Sequence, residues 1–493
     1  MQKRIKEMTR RELLKLVGVG VGATLGGQAA WPLKVRAQDN KVTPRKNVRN
    51  VLVIQNCGAM SPPEALDFKE TKWTAKDLDI QKINADFSIS KTLFPNYQKW
   101  APRAALVRSM MENGLVHFPA QYHSQAGRAL NPAIVREIPA LGSIVAYELE
   151  SERRESDTFP TSMSIDLWNV NCPQIGSGML PAKYAGLDLN TTTIFQAFGG
   201  GSESGAEDPV LKRRWDALNR LSEVSPVGSH PIGSKATEYE AHYQYAYKIL
   251  QDARFKKALV MSDEDKLRYM GSSTGRWAGT NAPGTCKFGL QMLLARNVLF
   301  ADAGARFLWV ANCYNGGNGC FDNHEWLYSR DRLPLNNGRI SIYDSCPIVD
   351  RALSSMVEDL SNHPGHEPGK TLLDETIILL ASEFGRDPEM NSNQGRDHWG
   401  RCFTNMWIGG PIKGGRVIGR TDERCFKVVD NGWKYKEQPM KDHDTSTIYS
   451  ALGIDYSKKI TNTPSGRAYE YQQTAPLGGP EFIPRAEIED LFV

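Results

Sequence analysis

The segment Thr376-Ile377-Ile378-Leu379-Leu380-Ala381-Ser382-Glu383-Phe384-Gly385-Arg386 changes from a continuous apolar run to polar and charged residues. An uninterrupted apolar run of this length is typical of a strand that is buried on both faces, as in a parallel sheet. In open sheets of this kind, ligands bind beyond the carboxyl ends of the strands. Glu383 and Arg386 therefore stand where a functional site is expected.

Four further segments have strand character, and segments with helical periodicity separate them. The predicted strands are Val51–Ile54, Ala104–Val107, Arg306–Val310 and the weaker Asn405–Ile408. The predicted helices are Leu141–Glu150, Lys287–Asp302 and Ile348–Leu360. Strands that alternate with helices indicate an α/β fold with a mostly parallel sheet flanked by helices.

The middle of the chain departs from this alternation. Residues 185–275 are polar and rich in Gly and Ser, with two predicted polar helices, Asp208–Glu223 and Glu238–Ala258. This pattern predicts a peripheral helical insertion in an α/β domain over residues 48–460. Residues 461–493 would then form a C-terminal extension.

Residues 1–37 have the features of a twin-arginine export signal. Arg10-Arg11 precedes a weakly apolar, glycine-rich stretch over Leu16–Ala30, and Val35-Arg36-Ala37 fits a cleavage site. The stretch is too short for a membrane span. We expect a periplasmic protein that engages the twin-arginine machinery and has no transmembrane segment beyond the signal. The alternatives are an uncleaved, membrane-tethered leader and an amphipathic N-terminal helix.

The charge distribution argues against a nucleic-acid partner. The formal net charge is +4, but residues 1–37 hold eight of the 60 Lys and Arg and only two of the 56 Asp and Glu. The rest of the chain is therefore slightly acidic. A nucleic-acid-binding protein needs a basic face, and this composition provides none.

Two more segments concentrate metal-ligand residue types near predicted strands. Asp322-Asn323-His324 follows the strand that ends at Val310, and Asp397-His398 comes shortly after Arg386. A divalent cation (Zn, Ca, Mg or Mn) needs deprotonated carboxylates or imidazoles from several directions. The candidate ligands are Asp322, His324, Glu383, Asp397 and His398. Arg386 and Arg396 could hold an anionic substrate by bidentate hydrogen bonds. Each pair taken alone could equally be a solvated surface pair.

The order of the motifs is similar to that of a known family. Asn56-Cys57-Gly58, Asp-x-His, Glu-Phe-Gly-Arg and Gly-Arg-Asp-His-Trp precede Gly409-Gly410-Pro411-Ile412-Lys413-Gly414-Gly415-Arg416-Val417-Ile418-Gly419-Arg420-Thr421-Asp422. Over residues 48–457 the chain resembles the bacterial family called domain of unknown function 1501, a sulfatase-like branch of the alkaline phosphatase superfamily. The resemblance implies an alkaline phosphatase-like fold and a metal-dependent hydrolase of phosphate or sulfate esters. Its substrate would be a small molecule or a polysaccharide ester.

Two further site residues follow from the resemblance. Where the family has a His and an Asp after the first strand, this chain has Pro62 and Glu64, so Glu64 would be a further metal ligand. Aligning Gly127 with the glycine that ends the sulfatase motif places His117 at the nucleophile position. His117 would attack the ester or act as a base. The alternative is a histidine that packs beside the site.

A second class of function stays open. The family's first-loop pattern is altered at Pro62 and Glu64, and no Cys-x-Pro-x-Arg motif for a modified nucleophile is present. These departures favour a non-catalytic exported binding or structural protein that keeps the fold.

Overall fold

The computed structural model describes residues 35–36, 41–198, 209–224, 244–271, 287–313, 320–330, 341–474 and 484–492. The predicted export signal lies outside these ranges apart from Val35–Arg36, which pairs with Lys459–Ile460 in a short antiparallel ladder. Within the described ranges, no helix has the length and apolar character needed to cross a bilayer.

An eight-stranded sheet organises the molecule. Its strands are β1 (Asn50–Asn56), β2 (Ala104–Met110), β3 (Ser162–Ile165), β4 (Leu187–Leu189), β5 (Phe307–Asn312), β6 (Thr376–Ser382), β7 (Phe403–Ile408) and β8 (Arg416–Ile418). They lie side by side in the order β8-β2-β7-β6-β1-β5-β3-β4. Neighbouring strands are parallel, except that β7 runs antiparallel to both β2 and β6. The predicted α/β class with a mostly parallel sheet is confirmed.

Both faces of this sheet are covered by hydrophobic cores. In β1, Leu52 and Ile54 belong to one core, whereas Val51 and Val53 belong to the other. Side chains along a strand point alternately to opposite faces, so every residue of such a strand must be apolar or paired. This explains the continuous apolar runs in the sequence.

Helices form the two outer layers. They are α1 (His117–Ala126), α2 (Leu141–Glu148), α3 (Thr191–Phe198), α4 (Pro209–Val224), α5 (Ala253–Ala258), α6 (Asp263–Met270), α7 (Phe288–Phe300), α8 (Ile342–Asn362) and α9 (Lys441–Leu452). Residues 244–251 are also helical. Helices α7 and α8 pack on the face that carries Leu52, and α2 and α9 pack on the opposite face.

Helix α8 begins earlier than predicted. The predicted helix Ile348–Leu360 starts one residue after Pro347, whereas the helix of the structure starts at Ile342. In the structure, Pro347 lies inside the helix, and the Ser341 side chain accepts a hydrogen bond from the backbone N–H of Tyr343 at the start. The cap therefore sets the boundary.

Three predicted boundaries need correction. The insertion cannot begin at residue 185, because β4 is an edge strand of the main sheet and pairs with β3. The single predicted helix Glu238–Ala258 is interrupted at Asp252, whose carboxylate accepts from the Arg254 N–H and caps α5. The domain also extends beyond residue 460, since Tyr469–Glu470 pairs with Lys459–Ile460 and Leu491 is buried in the core.

The sheet topology brings distant segments to one edge. Strands β1, β2, β5 and β6 all end there, and β7 begins there because it runs in the opposite direction. The segments that meet at this edge carry Gly58 after β1, His117 after β2, Asp322 and His324 after β5, Glu383 after β6 and His398 before β7.

Candidate metal centre

Three imidazoles and one carboxylate converge at this edge. The ligand atoms of His117, Asp322 and His398 lie within 4.8 Å of one another. Asp322 Oδ1 is 3.4 Å from His117 Nε2, 3.2 Å from His324 Nε2 and 3.3 Å from His398 Nε2. His324 Nε2 is also 2.9 Å from His398 Nε2. We call these four residues the histidine cluster.

In each histidine of the cluster, the other ring nitrogen contacts an oxygen. The contacts are His117 Nδ1 with Glu383 Oε2 at 2.9 Å, His324 Nδ1 with Asp397 Oδ1 at 2.8 Å, and His398 Nδ1 with the Leu115 carbonyl at 2.8 Å. A carbonyl or carboxylate oxygen can only accept a hydrogen bond. Nδ1 therefore carries the proton in each ring, and a neutral ring presents a lone pair at Nε2.

With this tautomer, the Nε2 lone pairs of neighbouring rings face one another and the Asp322 carboxylate. When both rings are neutral, His324 Nε2 and His398 Nε2 lie 2.9 Å apart with no hydrogen between them. Together with the Asp322 carboxylate, these lone pairs repel one another unless a cation lies among them. Four ligands around a tetrahedral ion with bonds of ~2.0 Å are about 3.3 Å apart. The distances from Asp322 Oδ1 to the three rings agree with that spacing. His117, Asp322 and His398 form the group whose ligand atoms all lie within 4.8 Å of one another, and these three residues could hold a metal ion.

The protonation of the cluster follows from the same contacts. Burial alone would raise the pKa of Asp322, but the hydrogen bond from His117 and the charge of Arg386 hold it well below its usual range. Burial would lower the pKa of His117, but hydrogen bonds to Asp322 and Glu383 raise it to about 9. Burial lowers the pKa of His398. A proton on His117 therefore supplies part of the positive charge in the absence of a metal ion.

Close backbone packing holds the surrounding loops in place. The Gly58 N–H donates to Glu383 Oε1 at 2.5 Å, so Glu383 is fixed from two sides. A Cβ at Gly58 would lie 2.2 Å from the Asp322 backbone nitrogen, and its φ of +93° is in the left-handed region. Glycine is required there for both reasons. The buried ring of Phe384 packs against His117 and His398, with centroids 5.3 and 4.3 Å away.

Glu64 does not join the histidine cluster, contrary to the expectation from the resemblance. Its Oε1 accepts hydrogen bonds from Arg396 Nη2 at 2.5 Å and from the Tyr328 hydroxyl. Its Oε2 accepts from the Ser61 hydroxyl at 2.5 Å, and the side chain is fully buried. Both oxygens are therefore used within the protein. In this structure Glu64 is the ion-pair partner of Arg396, and its role as a metal ligand stays a prediction.

The two arginines are also occupied by protein groups. Arg396 is buried and donates to Glu64 and to the backbone carbonyl of Asp387 at 3.0 Å. Arg386 is buried and donates to the Gly58 carbonyl, to the Arg396 carbonyl and to Asp322 Oδ1 at 2.5 Å. The substrate-binding role of both arginines stays a prediction. Arg386 holds the Asp322 carboxylate in position, and Arg396 neutralises Glu64.

Glu383 and Asp397 contribute from outside the cluster. Glu383 is buried and holds His117, whereas the Asp397 side chain is 60% exposed and holds His324. Metal-binding histidines commonly donate their second N–H to such a carboxylate, which fixes the ring and raises its basicity. Of the six predicted ligands, Asp322, His324 and His398 thus face the cluster directly, and His117 joins them.

A buried charged network behind the cluster was not predicted. His123 contacts Glu112 Oε2 at 2.8 Å and Asp442 Oδ2 at 2.7 Å, which connects α1 to α9. Lys441 Nζ lies 2.9 Å from Glu112 Oε2 and donates to the Glu383 carbonyl at 2.5 Å. The sequence offers one indication of this network, because His123 follows His117 by six residues. No feature of the sequence indicates that the Leu115 carbonyl contacts His398.

Comparison with solved structures finds similarities at low identity. The lipoteichoic acid synthase LtaP from Listeria monocytogenes aligns over 91% of this chain and 78% of its own, with 8% identity and a TM-score of 0.35. The PsFucS1 sulfatase from Pseudoalteromonas sp. aligns over 83% and 68%, with 12% identity and a TM-score of 0.36. A protein in the alkaline phosphatase superfamily from Vibrio parahaemolyticus aligns over 91% and 76%, with 9% identity and a TM-score of 0.33.

These similarities carry no argument about the activity of this chain, because each TM-score is below 0.5. A comparison with curated proteins found no match. The family comparison covers most of the sequence and agrees with the resemblance carried by the motifs. Since the family model matches residues 48–476, the chain belongs to the family described as "Protein of unknown function (DUF1501)".

Proposed function

We propose that this chain is an exported, metal-dependent hydrolase of phosphate or sulfate esters. The observation that supports the proposal most strongly is the convergence of three Nε2 atoms on Asp322 Oδ1, with Nδ1 of each ring engaged elsewhere. Three imidazoles and one carboxylate favour zinc or a similar transition ion, because calcium and magnesium prefer oxygen ligands.

Residues around the cluster orient the side chains that would hold a metal ion for ester hydrolysis. A divalent ion held by the cluster would polarise an ester oxygen and lower the pKa of a water nucleophile. Glu383 and Asp397 fix two of the rings, and Arg386 keeps the Asp322 carboxylate ionised and oriented. The His324 side chain is 30% exposed, so a substrate can reach the cluster from solvent.

His117 acts as a ligand in this proposal and not as the nucleophile. Its Nε2 faces Asp322, and its Nδ1 is taken by Glu383. An attacking or proton-accepting nitrogen would have to be the same Nε2 atom. Using this nitrogen for the metal leaves no ring nitrogen of His117 for attack or proton transfer.

A non-catalytic binding or structural role is the second candidate. It is favoured by the Glu64–Arg396 ion pair, which removes the ligand expected from the loop after β1 and leaves a smaller donor set. This candidate predicts that the cluster binds metal and that no ester is hydrolysed.

Turnover by metal-loaded protein separates the two candidates. Purified protein would be stripped with a chelator, reloaded with zinc or manganese, and assayed with aryl phosphate and aryl sulfate esters. The hydrolase proposal predicts activity that the chelator abolishes, that metal restores and that His324→Ala loses. His363→Ala is the matched control, because His363 stacks on Phe300 away from the cluster. Metal binding without turnover of either ester would support the binding role.

A further inference from the structure

An exposed apolar segment adjoins the histidine cluster. Leu115, Val116 and Phe118 are 43%, 62% and 43% exposed, and they are three of the seven large hydrophobic residues exposed in the described part of the chain. Single exposed apolar side chains are ordinary, but three within four residues form a local feature. Such a feature next to a functional site indicates a binding surface.

The segment is continuous with the cluster in its backbone. The Leu115 carbonyl accepts the hydrogen bond from His398 Nδ1, and His117 itself stands between Val116 and Phe118. The Leu115 side chain also lies against Gly400, where a Cβ would meet its Cδ2 at 2.8 Å. A molecule whose charged group is held by the cluster therefore has this apolar segment within reach.

We propose that Leu115, Val116 and Phe118 form an apolar lip that binds the hydrophobic organic group of the ester. The inference rests on the proposed function and specifies its substrate class as an amphiphile, an alkyl or aryl ester with a phosphate or sulfate group. A sugar would press hydroxyl groups against hydrocarbon that offers no hydrogen bonds, which is unfavourable. An alkyl or aryl group would remove the same surface from water, which is favourable.

Binding of non-hydrolysable analogues tests the lip without requiring turnover. Metal-loaded protein would be titrated calorimetrically with methylphosphonate and octylphosphonate, and with the two corresponding sulfonates. Each fully covered methylene improves affinity about fourfold, so octyl should bind at least about tenfold more tightly than methyl even with partial coverage. Equal binding of the two chain lengths, or no binding of any analogue, would overturn the proposal.

Substitutions identify the surface that produces this preference. In Val116→Ser with Phe118→Ser, the octyl-to-methyl affinity ratio should fall to below about threefold, because most of the apolar contact is removed. Helix α1 should persist, since Val116 is its N-cap and serine is a better cap residue. Val260→Ser, an exposed valine beyond α5, should keep the wild-type ratio. An unchanged ratio in the double variant would contradict the lip.

The outcomes separate this inference from the proposed function. Tight octylphosphonate binding without hydrolysis of any ester would retain the lip and reject the hydrolase. Hydrolysis of short and long esters with equal kcat/KM would retain the hydrolase and reject the lip.

Discussion

Asp397 is the member of the site whose contribution can be tested with least effect on folding. Its carboxylate holds His324 Nδ1 at 2.8 Å, but its side chain is 60% exposed. Asp397→Asn should reduce metal affinity about 10- to 100-fold, because it weakens the partner that orients the ring and increases its basicity. Competitive titration with a metal indicator measures the effect. Asp263→Asn, at a fully exposed carboxylate of α6, is the control.

The stability of metal-free protein provides a second check on Asp397→Asn. It should stay within about 0.5 kcal/mol of the wild type, as is usual for an exposed substitution. An Asp397→Asn variant with unchanged metal affinity would show that this carboxylate does not support the cluster.

At the residue scale, side-chain chemistry predicts part of the site. Asp322, His324 and His398 could be chosen from residue type and from their position near strand ends. Glu64 could not be excluded from sequence, because its partner Arg396 is 332 positions away and only the fold brings them together. The Leu115 carbonyl could not be predicted either, since every residue has a backbone carbonyl.

At the element scale, strand direction decides whether His398 belongs to the site. The apolar run before Ile408 predicts a strand but does not give its direction. In the structure β7 is antiparallel to both neighbours, so the residues before it lie at the edge where the parallel strands end. Had β7 been parallel to them, His398 would lie at the opposite edge.

The contact between α1 and α9 gives a pH-dependent prediction. Burial would lower the pKa of His123, but the charge of Asp442 and hydrogen bonds to Asp442 and Glu112 raise it to about 9. The pKa of His123 in the folded protein therefore exceeds the ordinary histidine value of 6.5. His123 then contributes its full stabilisation below about pH 6.5, and this contribution is lost as the pH rises through about 9.

His123→Gln should reveal this contribution. At pH 6 the free energy of unfolding should fall by about 3 kcal/mol, the usual cost of removing one partner of a buried ion pair. At pH 9.5 the difference from wild type should be clearly smaller. Urea unfolding at the two pH values measures both, with His363→Gln as control. A difference that does not change with pH would contradict a protonated His123.

At the scale of the whole molecule, the sequence predicts the fold class and the layers of sheet and helices better than it predicts the domain boundaries. The five predicted strands are all present, because two-sided burial forces long apolar runs. Edge strand β4 was not predicted, because it is only three residues long and pairs with a single neighbouring strand, β3. The sequence does not indicate that residues 461–493 belong to the domain, because short pairings such as Tyr469–Glu470 have no periodicity to detect.

The predicted export of this chain can be tested without a structure. Replacing Arg10 and Arg11 by Lys should retain the precursor in the cytoplasm, because both guanidinium groups belong to the proposed signal. Fractionation followed by immunoblotting measures the distribution. Replacing Arg4 by Lys, outside the twin-arginine pair, is the control. Normal periplasmic accumulation of the Arg10, Arg11 variant would contradict export by this route.

Metal uptake by the histidine cluster tests the proposed metal site most directly. Stripped protein would be titrated with zinc, and the bound metal would be counted by elemental analysis after removal of free ions. We expect about one tightly bound ion per chain in the wild type, its loss in His398→Ala and in Asp322→Ala, and its retention in His363→Ala. A wild-type protein that takes up no divalent ion, or cluster variants that bind as much as the wild type, would contradict the proposed metal site.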